Sequence, residues 1–78
     1  MAIRVITFGP IRDLTNNESI CFDQVADTDQ LVRKLHIKYP ALEHSPYLIA
    51  VDQEIISGNF ALSDSDHEIA LLPPYSGG

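Results

Sequence analysis

The chain is 78 residues long and 45% hydrophobic, with eleven acidic side chains against five basic ones, a net charge of 5 − 11 = −6. A chain this short buries only about 60% of its unfolded surface, so it forms one domain with little room to wall in a complete catalytic pocket, and chemistry shared with a partner is expected. The acidic balance opposes binding to nucleic-acid backbones and anionic lipid, and no segment approaches the ~20 apolar residues of a membrane span, so neither nucleic acid nor membrane is an expected partner.

Residues 2–8, AIRVITF, are rich in β-branched side chains and read as a first strand, with Ile3, Val5 and Thr7 on one face and Arg4, Ile6 and Phe8 on the other. Gly9-Pro10 ends it. The stretch through Asn16-Asn17 carries turn chemistry and SICF resumes the alternation, which predicts a hairpin with a long loop. MAIRVITFGPIR has Arg4 inside its apolar run and no cleavage-site pattern, so a cytoplasmic address is expected. Cys21, the single cysteine, alternates with Ile20 and Phe22 and reads as a small hydrophobic strand residue; alone it supports neither a disulfide nor a thiolate metal cluster.

Asp27 or Thr28 can accept from the free N–H groups of a following helix, and Gln30 lies three residues beyond Asp27 as in a capping box. Leu31, Val32 and Leu35 then share a face, Arg33 and Lys34 point outward, and Tyr39-Pro40 stops the helix. After a loop with Pro40 and Pro46, YLIAVD reads as a third strand, Gln53-Glu54 as a turn, EIIS as a short partner strand and Ser63 to Asp66 as a polar turn. EIALL, residues 68–72, is the last strand.

The order is ββαββ plus a closing strand, a two-layer α+β domain in which one helix covers one face of a mixed sheet. Ile3, Val5, Ile49, Val51, Ile69 and Leu71 are expected against the helix. The opposite face then carries Ile6, Phe8, Leu48, Ala50, Ala70 and Leu72, which is unusually apolar for a solvent face and predicts a docking patch.

Domain residues 1–72 are followed by a tail, 73–78, reading Pro73-Pro74-Tyr75-Ser76-Gly77-Gly78. Two prolines favour an extended spacer, and glycines without Cβ suit a main chain threaded through a narrow cleft. A terminal carboxylate is unreactive toward nucleophiles at neutral pH, so use of the Gly78 carboxylate requires its conversion to an acyl adenylate by an ATP-dependent enzyme. His36, His44 and His67 have no metal-ligand spacing and read as surface or turn residues; Asp64, Asp66 and Glu68 lack the glycine and distal glutamate of a calcium loop, so no metal site is expected.

IAVDQEII and EIALLPPYSGG, together with Phe8 and Arg12, resemble the small, sulfur-carrying subunit of molybdopterin synthase, a ubiquitin-like β-grasp family with a C-terminal Gly-Gly. The resemblance implies a sheet of four to five strands on one main helix, and a carrier that has no catalysis of its own and no permanently bound cofactor. It further implies that a ubiquitin-activating-like adenylyltransferase uses ATP on Gly78, which becomes a thiocarboxylate. Sulfur then passes, within a heterotetramer of two small and two large synthase subunits, to cyclic pyranopterin phosphate to make molybdopterin. Gly77 would thread the active site, and Phe8, Leu72, Pro73, Pro74, Tyr75 and Ser76 would meet the partner. The departures are Asp52 for Asn, Asp13 for Glu, and Ser65-Asp66-His67-Glu68 for Asp-Gly-Asp-Glu, which asks Asp66 to take the glycine's left-handed conformation. Two alternatives stand beside this reading: a sulfur carrier for thiamine or tRNA thiolation or a ubiquitin-like modifier, against which PPYSGG argues, and an interaction module without carboxylate chemistry.

Overall fold

The computed structural model describes residues 2–16, 18–62 and 65–74. Strands β1 (Ala2–Thr7), β2 (Ile20–Asp23), β3 (Leu48–Val51), β4 (Glu54–Ile55) and β5 (His67–Leu72) form one mixed sheet in the order β2-β1-β5-β3-β4. Helix α1 (Pro10–Leu14) lies between β1 and β2, and α2 (Thr28–Lys38) leads into a 3₁₀ turn at Pro40–His44. β1 and β5, the first and last strands, run parallel at the centre, while β2 and β3 flank them antiparallel.

The expected long loop between β1 and β2 contains α1. Gly9 adopts φ 57° and ψ −139°, the first central position of a type II′ turn, and the Ile11 N–H reaches the Phe8 carbonyl at 3.2 Å. Pro10 has its φ fixed for a first helical position. Ile11 and Thr15 are buried, and the Thr15 hydroxyl turns back to the Arg12 carbonyl at 3.0 Å. The helix is too short for its periodicity to emerge from between a Gly-Pro and an Asn-Asn pair.

α2 starts on Asp27, whose side chain accepts from the Gln30 N–H at 2.9 Å. Gln30 returns to the Ala26 N–H at 2.7 Å, one residue earlier than in the ordinary capping box. Asn59 Oδ1 joins this terminus, accepting from the Asp29 N–H at 2.9 Å and from the buried Thr28 hydroxyl at 3.2 Å; that hydroxyl accepts the Phe60 N–H at 2.9 Å. Gln30, then Asn59 and Arg33, hold the Asp27 carboxyl below the usual carboxylate range.

The core sets Ile3, Val5, Val51, Ile69 and Leu71 of the sheet against Leu31 and Leu35 of α2, each burial stabilising by roughly 1.5–3 kcal/mol before entropy is charged against it. Ile49, expected with them, is half-buried and packs against the core's edge, and Val32 is half-buried. Ile11, Val25, Tyr39, Leu42 and Leu62 complete the core from connections. Tyr39 donates to Glu18 Oε1 at 2.6 Å; burial, then that hydrogen bond and the Glu18 charge, pushes its phenol up to about 12.

Two local expectations are corrected. The β3–β4 turn is centred on Asp52 (φ 50°) and Gln53 (φ 74°), one residue before the predicted Gln53-Glu54. Two successive positive φ values make the mirror-image turn that matches strand twist, and Asp tolerates it. Asp66 does not take the left-handed conformation; its carboxylate instead accepts the Ala2 N–H at 2.7 Å.

Candidate partner interface and tail root

Strand pairing assembles the outer face row by row, because partners in register share a face. Arg4 lies between Cys21 on β2 and Glu68 on β5. Ile6 lies beside Ala70, Ala70 beside Ala50, and Ala50 beside Ile55. Leu48 pairs with Leu72, and the register carried one step further sets Phe8 next to Leu72. Phe8 is 45% exposed, Leu48 37% and Ile55 62%, while Ile6, Ala70 and Leu72 are half-buried. The central order β1-β5-β3 makes these side chains one apolar patch, at the end where β5 runs into Pro73.

Ala50 belongs to this face yet is buried, its methyl sitting in register between Ala70 and Ile55. Ile55 was not expected here. In register with Ala50, Ile55 shares the outer face and joins the patch, while Ile56 packs on the core. Cys21, expected as a packed strand residue, is exposed on the outer face.

The tail root is a contact between two backbone-restricted residues. A Cβ on Gly9 would stand 3.3 Å from Cγ of Pro73, so the positive φ and the close approach both select glycine there. Pro73 is half-buried and Pro74 exposed, where the chain leaves β5 beside Phe8 and Leu72. Tyr75, Ser76, Gly77 and Gly78 lie outside the described residues, as does much of the polar turn at Ser63 and Asp64.

The other end of the outer face is polar. Arg4 pairs with Glu68 at 2.9 Å. Asp52 accepts the Glu68 N–H at 3.0 Å and holds His67 Nδ1 at 2.7 Å, and these contacts, the backbone one first, keep its carboxyl below the usual range. Ser65 Oγ lies 3.1 Å from His67 Nε2. His67 is therefore a strand residue pinned on both ring nitrogens, and His36 bonds the Tyr47 hydroxyl at 2.8 Å. Among the described residues no three His, Cys, Asp or Glu side chains gather to hold a metal ion, and no helix is long and apolar enough to cross a membrane.

A five-stranded mixed sheet with parallel central termini, one long helix on one face and a proline-led exit from the last strand define a ubiquitin-like β-grasp domain. The chain belongs to the ThiS family, whose model matches residues 5–78. It is similar to the molybdopterin synthase sulfur carrier subunits of Dictyostelium discoideum (33% identical, covering 96% of this chain and 94% of that protein) and Caenorhabditis briggsae (34%, covering 100% and 99%). Among solved structures it is similar to the complex of subunits 1 and 2 of molybdopterin-converting factor from Helicobacter pylori, with 31% identity, a TM-score of 0.73 and all of both chains covered. The small archaeal modifier protein 1 of Methanosarcina acetivorans shares the fold at 22% identity and a TM-score of 0.77, covering 99% of this chain and 96% of that one.

Proposed function

We propose that this chain is the sulfur carrier of molybdopterin synthesis, with the Gly78 carboxylate as its working group. The observation that carries the reading is the juxtaposition of the tail root at Gly9 and Pro73 with the apolar patch of Phe8, Leu48 and Leu72. A partner seated on that patch receives the chain beyond Pro74 directly. The relatives at 33% and 34% identity, named as sulfur carrier subunits, support the same reading.

In this cycle an adenylyltransferase uses ATP to activate the Gly78 carboxyl as an acyl adenylate, releasing pyrophosphate. A sulfur donor displaces AMP and leaves a thiocarboxylate. The domain then docks on the large synthase subunit, Gly77 lets the main chain pass a narrow cleft, and the partner positions the sulfur against cyclic pyranopterin phosphate. A heterotetramer of two small and two large subunits working in the cytoplasm belongs to the same proposal.

The test is direct. Protein carrying a Gly78 thiocarboxylate, mixed with a molybdopterin synthase large subunit and the cyclic precursor, yields the dithiolene and returns to its ordinary carboxylate mass; Cys21→Ser behaves identically. Deletion of Gly78 leaves the thermal melt unchanged and abolishes ATP–pyrophosphate exchange. A thiocarboxylate that persists in that mixture, but is consumed by a thiazole-forming or tRNA-thiolating enzyme, reassigns the pathway.

A further inference from the structure

Beside the apolar patch, a cleft of about 450 Å³ opens along β1, and its lining includes Ile6, Phe8, Cys21 and two arginines, Arg4 and Arg12. The chain has five basic residues against a net charge of −6. Arg33, Lys34 and Lys38 all lie on α2, which packs on the opposite face of the sheet. Both remaining cations therefore converge on one cleft.

Neither arginine is fully used. Arg4 gives one amino group to Glu68 at 2.9 Å and keeps 68% of its side chain exposed. Arg12 is exposed and forms no ion pair among the described residues. Glu18, the acid in the lining, has its Oε1 occupied by the Tyr39 hydroxyl at 2.6 Å. Of the other acids near this face, Asp23, Asp52, Asp66 and Glu68 gather at the end where β5 begins, and Asp13 follows Arg12 on α1. The face is thus polarised, with most of its acid at one end and, at the end from which the tail departs, a guanidinium without an ion pair among the described residues.

We infer that the cleft receives an aspartate or glutamate side chain of the protein that docks on the outer face, held by the Arg12 fork. The inference rests on the proposed use of that face. A guanidinium matches a carboxylate through two parallel hydrogen bonds, which fix orientation as well as attract. A partner shifted along β1 would set the same carboxylate against Asp52, Asp66 and Glu68. Attraction at one end and repulsion at the other define a single docking register, and that register determines where the chain beyond Pro74 enters the partner.

The experiment titrates wild type, Arg12→Gln, Arg12→Lys and Arg4→Gln against the synthase large subunit at low and high salt. Arg12→Gln is expected to weaken binding by about tenfold or more and to flatten its salt dependence, and Arg12→Lys to recover only part, because an ammonium has no fork. In parallel, the arginine Nε–Hε signals of the folded protein are followed by NMR, and the Arg12 signal is expected to shift as the large subunit is added. Binding by Arg12→Gln within twofold of wild type, with the same salt dependence, overturns the inference. A shift of both arginine signals by millimolar inorganic phosphate, matching that produced by the large subunit, overturns it in favour of a small-anion site. Loss of binding in Leu72→Glu but not in Arg12→Gln leaves the docking face standing and removes the cleft, whereas failure of wild type to bind removes both.

Discussion

Phe8→Ala and Leu48→Ala test the docking face most cleanly, because neither side chain belongs to the buried core cluster. Full burial of a phenylalanine or leucine is worth roughly 1.5–3 kcal/mol, and only the area still open to solvent is available to a partner. Phe8 retains 45% of its surface and Leu48 37%, so each offers about 0.6–1.4 kcal/mol to association. At about 1.4 kcal/mol per tenfold, each single variant weakens binding by roughly 3- to 10-fold and the pair by roughly 10- to 100-fold if they add. Calorimetric titration against the large subunit reads the affinity, and thermal melting of the free domain confirms that the fold is intact. Affinities within twofold of wild type for both variants, in domains that melt normally, would refute the assignment of this face. Losses that track a lowered melting temperature would show instead that the side chains serve the fold.

Leu72→Glu places a charge in the centre of the same patch, and a folded monomer that binds the large subunit at least about a hundredfold more weakly is expected, since a charge left unpaired at an apolar interface is costly to desolvate. Gly9→Ala meets both a positive φ and Pro73, and a destabilisation of about 1–3 kcal/mol is expected in denaturant melts; an unchanged midpoint would mean that the turn relaxes freely. Tyr39 titrates from 10.0 in the unfolded chain to about 12 in the fold, so its contribution is fully present below pH 10 and lost as pH rises toward 12. Screening near the exposed Glu18 brings the nominal ~2.7 kcal/mol down to about 1 kcal/mol, and Tyr39→Phe should lose that alkaline slope; parallel profiles of the two proteins between pH 9 and 11.5 would contradict it. Asp52, with a lowered carboxyl, has the opposite sign: its contribution is present at neutral pH and lost as pH falls below the ordinary value of 3.8, and Asp52→Ala should flatten the acid limb of the same measurement.

The long elements were legible because their periods are unambiguous. AIRVITF and EIALL alternate, Leu31 and Leu35 repeat at helical spacing, and Asp27 with Gln30 marks the start of α2. What escaped the sequence depends on partners distant in the chain or on single-residue register. Ile11, Leu42 and Leu62 are isolated apolar residues in connections, buried only because α2 and the sheet leave space for them. The β3–β4 turn was misplaced by one residue because Asp-Gln is weak turn chemistry compared with Asn-Gly, and Ile55 was missed because a two-residue strand is too short to show an alternation. Cys21 looked like a packing residue, but the edge position of β2 leaves its side chain facing open cleft. The pairing of the tail root with Gly9 required knowing that β5 lies parallel to β1, which no local pattern encodes.

That parallel pairing also has a mechanical meaning. In the proposed docking, a partner cleft that draws in the chain beyond Pro74 loads β5, which is clamped by β1 on one side and β3 on the other. The hydrogen bonds of both ladders lie across the strand, so they bear a load along it together in shear instead of opening one after another. Had the tail grown from β4, a two-residue edge strand, the same tug would peel it away like a zipper. The last strand therefore serves as a moored line: force applied at its free end is shared across the middle of the sheet, and the domain can be hauled against a partner without coming undone.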